Sequence, residues 1–135
     1  MPHPKLEEVV RRDPRYAYEA YEFVFAALAH TQKRQGKVPP EGAGPEPADY
    51  HVSGRDLLDG ARDLASREFG LMARTVFRLW GINATDDVGN IVFNLIDAEL
   101  MSRTDRDTRE EFHAVFDLDE ALVKGYRIAL EEIDA

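Results

Sequence analysis

Apolar residues recur along most of this chain with the period of an α-helix, and this pattern limits the folds that the chain can adopt. The longest such stretch covers residues 14–35, where apolar side chains lie three and four positions apart. We expect a helix there that begins with Asp13 as its N-cap and Pro14 in its first turn, and that ends at Gly36. A shorter helix is expected over residues 3–11.

Three short helices joined by glycine-containing turns are expected in the middle of the chain. Ser53 and Asp56 have the spacing of a capping box, in which the serine side chain accepts a backbone N–H three residues later. Thr85 is the expected N-cap of the third helix, because Asp86 and Asp87 follow it and acidic side chains stabilise a first helical turn. The helices are expected at residues 54–68, 71–80 and 86–98.

The periodicity changes towards the C-terminal end. Phe112, Ala114 and Phe116 alternate with other side chains, which is typical of a β-strand. A polar turn separates this stretch from a second short segment, so a β-hairpin over residues 99–117 is one interpretation. With the helices before it, such a hairpin gives the order of elements found in a winged helix.

Residues 1–135 are expected to form one compact, mainly α-helical domain of about five helices, with the hairpin as a possible addition. The length of the chain suits a single domain. Residues 36–50 contain four prolines and three glycines and are expected to form a loop inside that domain. Asp117 or Asp119 is expected to cap a last helix.

The chain has no cysteine, which excludes disulfides, thiolate metal ligands and cysteine nucleophiles. No apolar run reaches the length of about 18 residues that a membrane span needs. The N-terminal residues also lack the apolar run of a signal peptide. We therefore expect a cytoplasmic protein with no membrane partner.

The net charge of −9 comes entirely from the C-terminal part of the chain. Residues 1–84 carry 12 acidic and 12 basic side chains, whereas residues 85–135 carry 14 acidic and 5 basic ones. An acidic surface repels phosphate backbones, so a nucleic-acid partner is disfavoured. The charge suits a protein partner with a basic surface, although solubility alone also accounts for it.

No catalytic, cofactor-binding or metal site is predicted. The four histidines are widely separated and lack the spacing that places two metal ligands on one helix face. Glu110 and His113 have the Glu-x-x-His spacing of di-iron proteins, but those sites need a second copy of the motif and the chain has none. Phosphate-binding glycine loops and serine-nucleophile motifs are also missing. An enzyme is therefore disfavoured, and a small-ligand binder or an enzyme of unknown class is kept as an alternative.

The candidate residues for a partner-binding surface are Trp80, Asn90, Phe93 and Asn94. Trp80 stands beside Gly81 at a helix end, and aromatic anchors dominate many protein interfaces. Phe93 lies off the main apolar face of its helix, next to the two amides. The competing interpretation is that Trp80 covers the core, with Gly81 in a left-handed conformation. We interpret the chain as a non-enzymatic protein-binding or regulatory module that meets a basic partner or forms a homodimer.

A winged-helix-like nucleic-acid binder is the main alternative. Arg67, Arg74 and Arg78 would form its basic strip, since residues 74 and 78 are neighbours on one helix face. The following helix argues against this alternative, because its exposed side offers Asp86 and Asp87 and no basic residue.

Several phrases of the sequence together resemble those of a known family. They are residues 52–60, 80–82 and 86–96, Asp107, and residues 110–112 and 116–117. The resemblance covers roughly residues 13–120 and points to a small, uncharacterised bacterial family named after a Methylacidiphilum protein. Val88 stands where that family more often has an aromatic residue or isoleucine. The family has no assigned activity, so the resemblance implies no substrate, cofactor or site residue.

Overall fold

A computed structural model describes residues 4–36, 52–101 and 109–124 of the chain. This part of the molecule is mainly helical, as expected, and contains five α-helices. They are α1 (Pro4–Arg12), α2 (Tyr18–Arg34), α3 (Gly54–Phe69), α4 (Ala73–Leu79) and α5 (Thr85–Asp97). None of the helices in these ranges is both long enough and apolar enough to cross a bilayer.

Three shorter helical pieces complete the described residues. Gly70–Met72 forms a 3₁₀ turn before α4, Arg109–Phe112 forms a second 3₁₀ turn, and Glu120–Lys124 forms a π-helical turn. Asp117 accepts the backbone N–H of Glu120 at 3.0 Å, so Asp117 rather than Asp119 caps that last turn. The expected loop lies outside the described residues except for Gly36, as does the expected last helix beyond Lys124.

The helix starts follow tertiary contacts as well as local sequence. The Oγ of Ser53 accepts the N–H of Asp56 at 3.1 Å, which confirms the expected cap of α3. The expected cap of α2 is wrong, because this helix starts at Tyr18 after Ala17 and not at Pro14. The Ala17 N–H donates to the carbonyl of Trp80 at 3.1 Å, so the segment before α2 is tied to the end of α4.

The core lies between α2, α3 and α5, with α4 and the short turns packed around it. α2 crosses α3 and also contacts α5. The aliphatic and aromatic side chains of the core come from all five α-helices, from the Arg109–Phe112 and Glu120–Lys124 turns and from the connecting segments. Its buried members include Leu6, Tyr16, Tyr21, Phe23, Leu58, Phe77, Ile82, Ile91, Phe93, Leu95, Phe112 and Leu122.

The expected β-hairpin over residues 99–117 is not supported. Of that interval, residues 102–108 lie outside the described part, and the described remainder contains the 3₁₀ turn and no strand. The Oγ1 of Thr85 donates to the carbonyl of Phe112 at 2.6 Å and accepts the N–H of Val115 at 3.1 Å. Ala114 has a positive φ of 45°, which reverses the chain where a strand would continue. The alternating pattern therefore reflects a turn that docks on α5.

Thr85 is also the reason that the expected start of α5 is wrong by one residue. The helix begins at Thr85 itself, with Ala84 in the N-cap position. The Thr85 hydroxyl points into the core towards the Phe112 turn and does not cap the helix. Asp87 satisfies the first backbone donors instead, since its Oδ2 accepts the N–H groups of Asn83 and Ala84 at 2.8 and 3.0 Å.

Candidate functional site

The two asparagines of the predicted partner surface take part in a polar network between α5 and the segment before α2. The Nδ2 of Asn90 donates to the hydroxyl of Tyr16 at 2.9 Å. The Nδ2 of Asn94 donates to Asp13 at 2.8 Å and to the hydroxyl of Tyr21 at 3.0 Å. Both amides are half-buried and use their donors inside the molecule. Their hydrogen bonds hold α5 against the start of α2.

Tyr16 and Asp87 form the shortest contact of this network. The hydroxyl of Tyr16 donates to the Oδ1 of Asp87 at 2.6 Å. Burial, together with the hydrogen bond to the Asp87 carboxylate, raises the pKa of Tyr16 to about 12. The phenol therefore stays protonated at neutral pH and serves as a permanent donor, which is the property of a structural group.

The other end of the network holds a charged pair. The Nε and one terminal nitrogen of Arg15 donate to the two carboxylate oxygens of Asp13 at 2.8 and 2.7 Å. These bonds and the one from Asn94 lower the pKa of Asp13 to about 2, although partial burial acts in the opposite sense. Asp13, which was expected to cap α2, thus orients the amide of α5.

Phe93 is buried, with 6% of its surface exposed, so its ring does not form an open patch beside the two amides. The guanidinium of Arg109 lies over this ring, with 5.2 Å between its central carbon and the ring centroid. The same guanidinium donates to the Oδ1 of Asn90 at 3.1 Å. The 3₁₀ turn at Arg109–Phe112 therefore covers the side of α5 where a partner surface was expected.

Trp80 is half-buried at the edge of an aromatic cluster with Phe23, Phe69 and Phe77. Its ring centroid lies 5.6, 5.8 and 6.1 Å from theirs. Gly81, directly after it, has a positive φ of 91°, which confirms the left-handed conformation expected there. Trp80 thus closes one side of the core and keeps part of its surface open to solvent.

Next to Trp80, the structure exposes an apolar surface that the sequence did not single out. Leu71, Met72 and Leu79 are 46%, 59% and 77% exposed, and all three belong to α4 or to the 3₁₀ turn before it. Thr75 and Arg78 are exposed on the same short segment. We refer to these five residues as the α4 face. The buried side of the segment is formed by Ala73 and Phe77.

One signal in the sequence could have revealed the α4 face. Seven of the ten residues at 71–80 are apolar, which is more than a single buried stripe can use. A short helix of this kind must either be buried all round or leave part of its apolar surface uncovered. Periodicity alone does not distinguish these outcomes, because it reports spacing and not which side meets a neighbour.

The three arginines of the nucleic-acid alternative do not share one open surface. Arg74 is only 12% exposed, and its Nε donates to Asp119 at 2.7 Å. Arg67 donates to Asp63 at 2.8 Å on the outer side of α3. Arg78 is exposed on α4. Two of the three arginines are therefore paired with neighbouring carboxylates, and Arg74 is largely covered.

Metal ligands and surface clefts are the remaining candidates for a site in the described ranges. Within them, no group of three or more histidine and carboxylate side chains is placed to hold a metal ion. A surface cleft of about 190 Å³ lies between α1 and the end of α5, and its charged lining includes Lys5, Glu8, Arg12 and Glu99. A second cleft of about 160 Å³, beside Arg34, is lined mainly by polar and charged side chains. Binding sites for small molecules are usually more apolar than these clefts.

Comparison with protein-family models, with curated proteins and with solved structures finds no match to this chain. Its function is therefore inferred from its own residues.

Proposed function

We propose that this chain is a non-enzymatic protein-binding module and that the α4 face is its binding surface. The observation that carries the proposal is the exposure of Leu71, Met72 and Leu79 on one short helical segment. They are the large apolar side chains most open to solvent among the described residues. Most of the other apolar side chains in this part of the chain are buried. Contiguous exposed apolar surface of this kind is typical of interaction sites.

The chemistry of the α4 face suits recognition of another protein. Met72 and Leu79 are seven residues apart, a spacing that places them on the same side of a helix. Side chains with this spacing are the anchors by which an amphipathic helix enters an apolar groove. Half-buried Trp80 follows Leu79 directly in the chain and supplies a rigid aromatic side chain at the end of α4. The absence of cysteine fits a cytoplasmic setting for this binding.

Two features of the structure support protein binding on α4 over the alternatives. Asn90, Asn94 and Phe93 are engaged or covered within the molecule, so of the predicted partner residues Trp80 is the one beside an open apolar surface. Arg67 and Arg74 are paired with carboxylates, which leaves the nucleic-acid alternative with little free positive charge.

The test compares two double variants that differ in the polarity of the α4 face. Met72→Ser with Leu79→Ser removes its apolar character, whereas Met72→Leu with Leu79→Met keeps it and serves as the matched control. Each protein, and the unchanged chain, is immobilised and exposed to lysate of the source organism at low and high salt. A partner identified in this way is purified, and its affinity for each protein is measured by calorimetry.

We expect the partner to bind the unchanged chain and the control with similar affinity, and to bind the serine variant at least about tenfold more weakly, as for a binding hot spot. Circular dichroism and urea unfolding establish that both variants are folded. Equal retention by the serine variant would contradict the proposal. Recovery of nucleic acid that high salt releases would also contradict it, and would favour the alternative based on Arg78.

A further inference from the structure

We propose that the partner of the α4 face is a second copy of this chain, packed with its α4 antiparallel to the first. This inference rests on the proposed function, because it uses the same surface. The α4 face offers apolar side chains to a partner, and a two-fold axis through its centre brings the same residues from both copies together. Leu71 and Met72 of one copy then lie over the C-terminal end of the other copy's α4, where Leu79 is exposed.

The charges that bracket the apolar residues are self-complementary in this arrangement. Exposed Glu68 lies near the end of α3, shortly before the α4 face in the sequence, and exposed Arg78 lies at the other end of that face. Arg67, next to Glu68, is paired with Asp63 at 2.8 Å. An antiparallel pairing brings the acidic end of each face to the basic end of the other. It therefore places two opposite-charge pairs around the apolar centre, whereas a parallel pairing would set like charges against each other.

The distribution of charge along the chain favours contact at this place. Two copies that each carry a net charge of −9 repel one another over most of their surfaces. Residues 69–85 contain no Asp or Glu and include Arg74 and Arg78, although the chain as a whole has 26 acidic residues. The α4 face lies inside this acid-free stretch. The Asp119 carboxylate reaches α4 from outside it and accepts from Arg74 at 2.7 Å, so this acidic charge beside the face is paired.

The size of the α4 face predicts a weak dimer. Stable interfaces bury about 800 Å² on each partner, and a handful of side chains on a helix of two turns supplies much less. We therefore expect dimerisation that increases with protein concentration and is reversible on dilution.

The test uses charge reversal at the two ends of the α4 face, in full-length protein, with mass measured by sedimentation velocity over a range of concentrations. Glu68→Arg places two arginines at the ends of each face, and Arg78→Glu places two glutamates there. Each single variant should dimerise less than the unchanged chain. An equimolar mixture should form heterodimers, because both of its end pairs are then opposite in charge. The double variant Glu68→Arg with Arg78→Glu should dimerise like the unchanged chain.

Three results would overturn the second copy as the partner. The first is that the unchanged chain is monomeric at every concentration. The second is that the single variants dimerise as strongly as the unchanged chain. The third is that the equimolar mixture of the two single variants forms no more dimer than either variant alone. Loss of dimerisation in the Met72→Ser, Leu79→Ser variant, but not in its apolar control, is also expected. A monomeric chain whose lysate partner is still lost in that serine variant would reject the dimer and leave the proposed protein binding intact.

Discussion

At the scale of single residues, we expect Tyr16, in the segment before α2, to contribute more to the packing of α5 than Tyr21 of α2 does. Tyr16→Phe removes a donor to the Asp87 carboxylate and the acceptor for Asn90, so we expect the free energy of unfolding to fall by about 1–2 kcal/mol. Tyr21→Phe removes one acceptor of the Asn94 amide, which still donates to Asp13. We therefore expect this variant to lose less of the free energy of unfolding. Urea unfolding of the two variants measures the difference, and an equal or larger loss in Tyr21→Phe would contradict this ranking.

A second residue-scale prediction concerns the pH dependence of the contact between Asp86 and His113. The Nδ1 of His113 lies 2.7 Å from Asp86, which raises the pKa of the imidazole above its ordinary value of 6.5. The N–H of Ala114 and then His113 lower the pKa of Asp86. The stabilisation by His113 is therefore complete below pH 6.5 and lost as pH rises through its raised pKa. The stabilisation by Asp86 is present above its ordinary pKa of 3.8 and is lost as pH falls through its lowered pKa.

The measurement is an NMR titration of the His113 ring in the unchanged chain and in Asp86→Asn, with the signal assigned by its absence in His113→Gln. We expect the pKa of His113 to fall towards its ordinary value when the Asp86 charge is removed. Because His113 is fully exposed, the effect on global stability should be small. An unchanged pKa in Asp86→Asn would show that this contact is not maintained in solution.

At the scale of elements, the turn that contains Phe112 docks between the N-terminal ends of α3 and α5. A Cβ added at Gly89 of α5 would lie 2.7 Å from the Cβ of Phe112, and one added at Gly54 of α3 would lie 2.9 Å from its ring. The Glu111 carboxylate accepts the N–H of Gly54 at 2.8 Å. Two glycines thus make room for one aromatic side chain, and a neighbouring carboxylate caps a helix.

This geometry predicts that Gly89→Ala destabilises the fold, although alanine is the better helix former by up to about 1 kcal/mol. The added methyl group must displace the Phe112 turn, and we expect a cost of about 1–3 kcal/mol in urea unfolding. Hydrogen exchange locates the change, because the N–H groups of Ala114 and Val115 should exchange faster when the turn moves. A more stable variant with unchanged exchange at these two amides would contradict the close packing.

The same turn shows where local pattern and final structure diverge. Alternation of Phe112, Ala114 and Phe116 is compatible with a strand, and nothing within those five residues disfavours one. The hydroxyl of Thr85 binds the turn on both sides of His113, and burial of Phe112 against two helices stabilises it. These partners lie more than twenty residues away in sequence, so no local pattern could have revealed them.

At the scale of the whole molecule, charge and apolar surface are distributed unevenly. The acidic excess lies after residue 84, whereas the exposed apolar side chains of the α4 face lie before it, within the acid-free stretch 69–85. Like charges on acidic surfaces repel one another, and the proposed contact uses an apolar surface that lies outside the most acidic part of the sequence. This separation is the reason that the proposed binding surface is placed on the α4 face.

The sequence by itself determined the helical class, the approximate positions of all five helices and the cap at Ser53, because these depend on spacing and on neighbours within one turn. Only the tertiary structure decided that Phe93 is buried, that Asn90 and Asn94 serve the fold, and that the α4 face is open. Helical spacing specifies which side chains share a face. Whether another element covers that face depends on contacts between residues far apart in the chain, which periodicity does not encode.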